Sequence, residues 1–400
     1  MNGPLPVEYS SVLVRFGEIG IKSKQTRRRM TRMLADRIRT ALKEHEVPFD
    51  KVRNEYGRIF IETTSAEEAA QIASRVFGVV STSPVVQTSA DIKDILDAGE
   101  KLALSKFKKG RTFAVEGRRY GTHEYSSQQM RGLLGERLLE GHPELELTVD
   151  LSNPEQSIYL EVRDERTYIF TETIKGVGGM PTGTQGKVIC TVSTGLDSPI
   201  AAFKVMKRGT IPVFVYYDNS PHSDEKCAER AIGQAQLLAN YIYDYEVKLY
   251  IVPHWPDLEE AIDKGPEKMT CIFCKRNMMK MAREIAIIEK ADAIVTGEII
   301  GEQASQTTAN LRVLDEAVAD FPILRPLAGD DKVDIERMAH EIGTYEFAKD
   351  GIACCDLAPK YPALAARVED AKCAEEKMDA TILETEIKNA QVIVLRKGGK

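Results

Sequence analysis

The residue types that bind phosphate are concentrated in one short stretch, Ser193-Thr194-Gly195-Leu196-Asp197-Ser198-Pro199. An apolar, β-branched run at 187–192 precedes it and predicts a buried strand, and a helical pattern follows it. A helix that starts behind such a loop forms an anion site, because its first backbone amides have no intrahelical partner. Gly195 keeps a Cβ out of the path of a phosphate, and two serine hydroxyls add donors. No Gly-Lys-Ser/Thr follows, which argues against a Walker loop, and a βα turn without a ligand remains the alternative.

Cysteines supply a second set of reactive groups. Cys271-Ile272-Phe273-Cys274 is a Cys-x-x-Cys at a predicted helix start, and Cys354-Cys355 follows further along the chain. A single Cys-x-x-Cys is typical of a redox pair or of half a zinc site, and no second Cys-x-x-Cys or His pair follows to complete the latter. Seven cysteines without a secretory signal favour free thiols, redox chemistry or a metal site over a disulfide scaffold. Core or surface positions are expected for the remaining three, Cys190, Cys227 and Cys373.

Positive charge is crowded into one segment of an acidic chain. The net charge is −7, which excludes a protein that is basic all over but not a local patch. Clustered Lys and Arg neutralise phosphates in nucleic-acid sites, so we predict RNA or DNA contact, with a solvated helix face as the alternative. The end of a second predicted strand carries Arg118, Arg119 and Tyr120, which also suit contact with nucleic acid. The predicted contact residues are Lys22, Lys24, Arg27, Arg28, Arg118 and Arg119.

Composition and length bound the class of protein. The 400 residues suggest two or three domains, and 43% hydrophobic with 29% charged residues describe a soluble globular chain. No run approaches the roughly 20 apolar residues that a membrane span needs, and the N-terminus has no signal-peptide pattern. We therefore expect a cytoplasmic protein without a membrane partner.

The pattern of apolar residues predicts different architectures in the two halves of the chain. Residues 11–172 mix strands and helices in a way that fits two α+β units. A glycine-rich stretch at 176–186 predicts a linker. From Lys187 strands and helices alternate, which predicts a parallel, doubly wound sheet with its ligand at the carboxyl ends of the strands. The loop after 187–192 and Thr296-Gly297-Glu298 both lie at such ends.

Several stretches together resemble the ThiI family, the 4-thiouridine synthetases of tRNA, over nearly the whole chain. The loop resembles the SGGxDS pyrophosphate loop of PP-loop ATP pyrophosphatases. Thr194 replaces a usual Gly there, and Glu302-Gln303 stands where Gln-Val is usual. The other matching stretches are Val14 to Ile19, Val149 to Pro154, Gly176 to Pro181, Gly297-Glu298, Ala304 to Thr307, Asn310-Leu311 and Leu324 to Leu327 with Lys332.

The resemblance implies a fold class and a division of the chain. The fold class is α/β and α+β multidomain, in which a C-terminal doubly wound parallel-sheet PP-loop ATP pyrophosphatase domain follows a ferredoxin-like and a THUMP domain. We predict a ferredoxin-like domain at 1–78, a THUMP RNA-binding domain at 79–175, a linker at 176–186 and the PP-loop domain, for adenylation and sulfur transfer, at 187–400. The length leaves no room for a rhodanese domain, so the form without one is expected.

The resemblance also implies a reaction. ATP and Mg²⁺ would adenylylate uracil O4 of tRNA, expected at position 8, and sulfur would then replace the activated oxygen. Asp197 and Lys332 would act in adenylylation, and Cys355 would be the catalytic cysteine, with Cys354 as the alternative. The implied nucleotide-binding residues are Ser193, Thr194, Gly195, Leu196, Asp197, Ser198, Gly297 and Gln306.

The sulfur step has two implied forms. Cys271, Cys274 and Cys355 (or Cys354) would hold a [4Fe-4S] or [3Fe-4S] cluster with one iron open to sulfide. Alternatively, a persulfide on Cys355 would carry the sulfur without a cluster. The implied partners are tRNA and a sulfur donor, either sulfide or a cysteine desulfurase, and a homodimer is allowed. The non-enzymatic alternative is an RNA-binding protein with an inactive nucleotide site.

Overall fold

A computed structural model describes residues 8–224, 226–349 and 357–396. The chain forms two compact units, one up to Pro181 and one from Thr182. None of the helices within the described ranges is long and apolar enough to cross a membrane. Cys354 and Cys355, which the sequence made candidates for the sulfur step, lie outside the described residues.

The first unit is built on one mixed sheet of nine strands. Its spine is β4, which pairs with β1 through Val85 and with β8 from Val86 onward, so one long strand belongs to both halves of the sheet. The strand order is β2-β3-β1-β4-β8-β7-β5-β6, with β9 on β4. Its elements are β1 (Ser11–Phe16), α1 (Lys24–Glu44), β2 (Lys51–Glu55), β3 (Arg58–Glu62), α2 (Ala66–Ser74), β4 (Val79–Ser89), α3 (Ile92–Lys106), β5 (Thr112–Tyr120), α4 (Ser127–Gly141), β6 (Thr148–Val149), β7 (Gln156–Arg163), β8 (Arg166–Phe170) and β9 (Ile174–Lys175).

Helix α1 exposes its many basic residues because its apolar residues lie on one side, and only that side can be buried. Ser23 caps its start by accepting a hydrogen bond from the Thr26 amide. Leu34, Ile38 and Leu42 recur at helical spacing and are fully buried. The remaining faces carry the arginines and must point to water, because burying an unpaired guanidinium is costly.

The second unit contains a six-stranded sheet in the order β14-β13-β10-β11-β12-β15. Strands β10 to β14 pair in parallel, and only β15 runs antiparallel, at the edge beside β12. The predicted fold class is confirmed. The elements are β10 (Lys187–Val192), α5 (Asp197–Met206), β11 (Ile211–Asp218), α6 (Lys226–Ala239), β12 (Val247–Pro253), α7 (Trp255–Lys264), α8 (Thr270–Glu289), β13 (Ala293–Val295), α9 (Thr308–Glu316), β14 (Ile323–Leu324), α10 (Lys332–Ile342), α11 (Tyr345–Ala348), α12 (Val368–Glu375), α13 (Thr381–Lys388) and β15 (Gln391–Arg396).

Parallel pairing explains why β10 is almost continuously apolar. Its residues Val188, Ile189 and Cys190 are buried, since helices cover both faces of a parallel sheet. Strand β10 lies between β11 and β13, so the loops after all three strands meet at one edge of the sheet. The Cys-x-x-Cys lies in the first turns of α8, which begins at Thr270, in agreement with the predicted helix start.

Candidate functional site

The loop after β10 is held by its own serines. The backbone amide of Ser193 donates to Ser198 Oγ at 2.8 Å, and the two serine hydroxyls lie 2.9 Å apart. Gln234 of α6 fixes the far side of the loop with a bond from Nε2 to the Gly195 carbonyl at 3.3 Å. The loop therefore has a defined shape, and α5 begins directly behind it at Asp197.

The two glycines predicted for the nucleotide site have different reasons to be glycine. A Cβ on Gly297 would lie 2.7 Å from the Ser198 backbone nitrogen and 2.8 Å from its Cα, so the loop after β13 touches the start of α5 backbone to backbone. A Cβ on Gly195 would meet only Ser193 Oγ, at 3.7 Å. No protein atom of the described ranges requires a glycine at 195, so the space beside this residue is open.

Lys332 and Asp197, which lie 135 positions apart in the sequence, form a short ion pair. Lys332 Nζ lies 2.6 Å from Asp197 Oδ1 and 2.8 Å from Glu302 Oε1. Burial raises the pKa of Asp197, the pair with Lys332 opposes that rise, and the charge of Glu302 adds to it. Burial lowers the pKa of Lys332, but the same two carboxylates outweigh it and the net shift is upward. The resemblance assigned both Asp197 and Lys332 to adenylylation, and the fold brings their side chains into contact.

A buried carboxylate organises the wall beside this pair. Glu298 accepts from Lys275 Nζ at 3.2 Å, from Arg325 Nε at 2.6 Å and from Thr296 Oγ1 at 3.2 Å. Burial opposes ionisation, but the charges of Lys275 and Arg325 prevail and lower the pKa of Glu298. Sequence reasoning gave Lys275 and Arg325 no role, although each lies within a motif stretch. Both already form ion pairs within the protein: Lys275 with Glu298, and Arg325 with Glu298 and Asp315.

A cavity of about 760 Å³ opens at the carboxyl edge of the sheet. Gln306 reaches it with a nearly buried side chain whose Oε1 has no hydrogen-bond partner within the described ranges. The end of β11, which sequence reasoning passed over, contributes two tyrosines and Asn219; their place at a neighbouring strand end was the available signal. The predicted residues that line the cavity are Ser193, Thr194, Asp197, Ser198, Gly297, Gln306, Cys271 and Cys274.

The cysteines of the described ranges divide into three groups. Cys271 and Cys274 are half-buried on one face of α8 and line the same cavity as the loop. Cys190 is fully buried and burial raises the pKa of its thiol, whereas Cys373 is exposed. Cys227 lies in the core as expected, but the expectation of free thiols is wrong for this residue, which is disulfide-bonded.

The predicted RNA contacts lie at two places in the first unit. Lys24, Arg27 and Arg28 lie in the first turns of α1, where all three are exposed, and Lys22 precedes them half-buried. At the end of β5, Arg119 donates to the Gly121 carbonyl at 3.0 Å. Arg118 is exposed and presents its charge at the surface. Arg119 is half-buried, and part of its guanidinium is bonded within the protein.

Comparison with known families gives three matches in chain order. The sequence model of the ThiI ferredoxin-like domain matches residues 11–83, and that of the THUMP domain matches residues 89–172. The model described as thiamine biosynthesis protein (ThiI) matches residues 183–380.

Comparison with individual proteins covers nearly the full length of the chain. A probable tRNA sulfurtransferase of Methanosarcina mazei is 36% identical and covers 97% of this chain and 96% of its own. A second one, of Methanobrevibacter smithii, is 40% identical and covers 94% and 98%. A crystal structure of a 4-thiouridine synthetase in complex with RNA and bound ATP superposes with a TM-score of 0.85 at 29% identity, covering 97% of this chain and 100% of the other.

Gly297→Ala should destabilise the second unit strongly, because its Cβ meets backbone atoms that cannot rotate away. We expect a loss of about 2 kcal/mol or more in the free energy of unfolding, within the range of overpacked sites. Gly195→Ala is the matched control and should change that free energy by less than about 0.5 kcal/mol. Urea unfolding of both variants measures this, and equal stability of the two would contradict the close backbone approach at Gly297.

Proposed function

Since the chain belongs to the ThiI family, as its motifs predicted, we propose that it forms 4-thiouridine in tRNA at the expense of ATP. One observation carries the proposal. The phosphate-type loop and the thiols of Cys271 and Cys274 line one cavity, and Asp197, which also lines it, holds Lys332 beside it. A nucleotide, a uracil and a sulfur atom can therefore be brought together in one place.

ATP would bind with its phosphates against the loop. The space left by Gly195 and the amides at the start of α5 suit an anion. Gln306, whose buried Oε1 lacks a partner in the described part of the chain, suits a donor from the nucleoside. Asp197 is the residue in this loop that suits Mg²⁺, which prefers carboxylate oxygens and phosphate.

The first chemical step would be attack of uracil O4 on the α-phosphorus, with pyrophosphate leaving. Negative charge grows on the leaving group, and a fixed cation beside it lowers the barrier. Lys332 supplies that cation, since Asp197 and Glu302 hold its ammonium in place. The step turns O4 into part of a phosphate ester, which makes AMP the leaving group at C4.

The second step would replace that ester by sulfur. A sulfur nucleophile attacks C4, the C4–O4 bond breaks and AMP departs. Cys271 and Cys274 lie at the cavity wall, and two thiols one turn apart on a helix fit an iron–sulfur cluster. Such a cluster, held by these two with Cys355 or Cys354, would supply an iron that carries sulfide.

The in-class alternative is a persulfide on Cys355 without a cluster. The absorption spectrum and iron content of anaerobically purified protein distinguish the two routes: a colourless, iron-free protein that still forms 4-thiouridine would exclude the cluster. The division at 1–78, 79–175, 176–186 and 187–400 and a cytoplasmic location are further parts of the proposal.

Asp197→Asn should abolish most thiolation while tRNA binding persists, because it removes the charged partner of Lys332 without changing side-chain volume. We expect a loss of about 10²-fold or more, as for removal of one transition-state interaction. Mass spectrometry of tRNA nucleosides from cells carrying only the variant measures this. Asp334→Asn, on exposed α10 surface, is the matched control. Normal 4-thiouridine in the Asp197 variant would favour the inactive-site alternative.

Gly195→Ala tests the loop without disturbing the fold. Its Cβ would enter the space proposed for phosphate, so we expect weaker ATP binding, by about 10-fold or more, at unchanged stability. Calorimetric titration with a non-hydrolysable ATP analogue measures the affinity. Unchanged affinity would place the phosphates elsewhere.

The acid limb of the pH–rate profile should report Asp197. Its carboxylate must be ionised to hold Lys332, and its pKa is raised, so activity should fall on acidification at a pH above the ordinary aspartate range. Glu302→Gln removes a negative charge that raises this pKa and should move the limb to lower pH. An acid limb that stays in place in this variant would contradict the assignment.

The salt dependence of tRNA binding should reveal the phosphate interactions of α1. The double variant Lys24→Ala and Arg28→Ala should lower the slope of log K against log salt by about 1 for each cation removed from a phosphate, hence about 2 in all. Lys264 and Lys388, exposed cations of the second unit, give the matched double variant. Equal slopes in both double variants would assign the basic face of α1 to solvation alone.

A further inference from the structure

Three polar side chains converge in the core of the second unit, behind the wall of the cavity. His254 follows β12, Asp257 lies in the first turn of α7 and Glu386 lies on α13. Their exposed fractions are 0%, 3% and 2%. One ligand atom of each, a ring nitrogen or a carboxylate oxygen, lies within 4.8 Å of the other two. None of these groups has a part in the proposed adenylylation.

Each carboxylate is anchored by one oxygen, and the other makes no aligned hydrogen bond within the described ranges. Asn277 Nδ2 donates to Asp257 Oδ2 at 2.6 Å, and the Asp257 amide donates to Glu386 Oε1 at 2.9 Å. Within the described ranges, Asp257 Oδ1, Glu386 Oε2 and His254 Nδ1 make no aligned hydrogen bond. Nδ1 lies 2.6 Å from Oδ1, yet without hydrogen-bond alignment. Amides that orient ligand atoms toward a common point are typical of metal sites.

The charge balance of the group is also incomplete. Two carboxylates this deeply buried require compensating positive charge, because an isolated buried charge is very costly. An imidazolium at His254 would supply one positive charge against two negative ones. Within residues 8–224, 226–349 and 357–396, no lysine or arginine forms an ion pair with Asp257 or Glu386. When both acids are ionised, the described part of the chain therefore does not balance them, and without an ion a proton on Glu386 restores the balance.

We propose that His254 Nδ1, Asp257 and Glu386 hold one divalent transition-metal ion, of the zinc, manganese or ferrous class. One imidazole and two carboxylates form a donor set that these ions accept. The ion supplies the missing positive charge and takes up the three unsatisfied atoms together. Cys274, which contacts His254 and lines the cavity, marks the path by which an ion enters.

The ion would also fix the state of His254. Coordination uses the lone pair of Nδ1, so the ring proton must reside on Nε2. Nε2 lies 3.2 Å from Cys274 Sγ and would then donate to that sulfur. The site thus orients one of the two cavity thiols, and His254 acts as a positioning residue for Cys274. This consequence rests on the proposed function, whereas metal binding itself does not.

Protons are the competing occupants. Burial, followed by the charge of Asp257, raises the pKa of Glu386 to about 8, so without an ion the carboxyl is largely protonated at neutral pH. Burial lowers the pKa of His254, but the charges of Cys274 and Asp257 outweigh it, and the net shift is upward. A metal must displace these protons, so its affinity should rise with pH.

The test is a titration of the full chain, freed of metal and iron, with Co²⁺ as a spectroscopic probe. In the double variant Cys271→Ser and Cys274→Ser, which lacks two of the proposed cluster thiols, we expect one tight site whose visible spectrum shows nitrogen and oxygen ligation, and a higher midpoint of thermal unfolding when Co²⁺ is bound. Glu386→Gln should weaken binding by about 10-fold or more and cancel the thermal shift. Glu384→Gln, on the exposed side of the same helix, should leave both unchanged.

A second variant separates this site from the cavity thiols. The double change Cys271→Ser and Cys274→Ser should keep the Co²⁺ site, since neither sulfur is a ligand in the proposal. Loss of Co²⁺ binding in this variant, or equal affinity in Glu386→Gln, would each overturn the site, whereas a thiolate band that appears only in the unsubstituted protein reports the cavity thiols. None of these readouts depends on thiolation activity, so failure here leaves the proposed function intact.

Discussion

Parallel pairing of β10 between β11 and β13 is the constraint on which the site depends. It brings the loop after β10 and the Gly297 turn after β13 to one sheet edge, where they touch backbone to backbone. A hydrogen-bonded strand cannot slip by one residue without turning its buried side chains to the opposite face. The register of the sheet therefore fixes the position of the phosphate-type loop relative to the second motif.

Of three cations near the loop, one pairs with the loop itself and two pair with a buried carboxylate. Arg325 and Lys275 are bound to Glu298, which is almost fully buried. Lys332 is more exposed and pairs with Asp197 of the loop itself. An anion that enters would compete with Asp197 and Glu302 for this ammonium. In the proposed reaction, this ion pair would keep the cation in position before a nucleotide arrives, which would lower the reorganisation needed.

The thiol side of the cavity rests on α7, α8 and α13. Asn277 lies one turn after Cys274 on α8 and fixes Asp257, and Asp257 in turn lies beside His254. One face of α8 therefore carries both Cys274, which contacts His254, and Asn277, which anchors Asp257. The antiparallel edge strand β15, reached through α13, closes the sheet on that side.

Local pattern alone determined much of this protein. Period-two and period-3.6 spacing predicted most elements of both units, and motifs in order predicted the family and the residues Ser193 to Ser198, Gly297, Gln306 and Lys332. Strand β15 escapes prediction because it is a half-exposed edge strand.

Only the tertiary structure decided which distant residues meet. By its neighbours in sequence Lys332 is an exposed lysine beside two aspartates, whereas the fold joins it to Asp197 and Glu302. His254, Asp257 and Glu386 have no recognisable spacing, since they come from a strand end and two helices. Sequence spacing reports contacts within one element, where geometry repeats. Contacts between elements depend on how the chain returns through space, and packing of the whole unit sets that return.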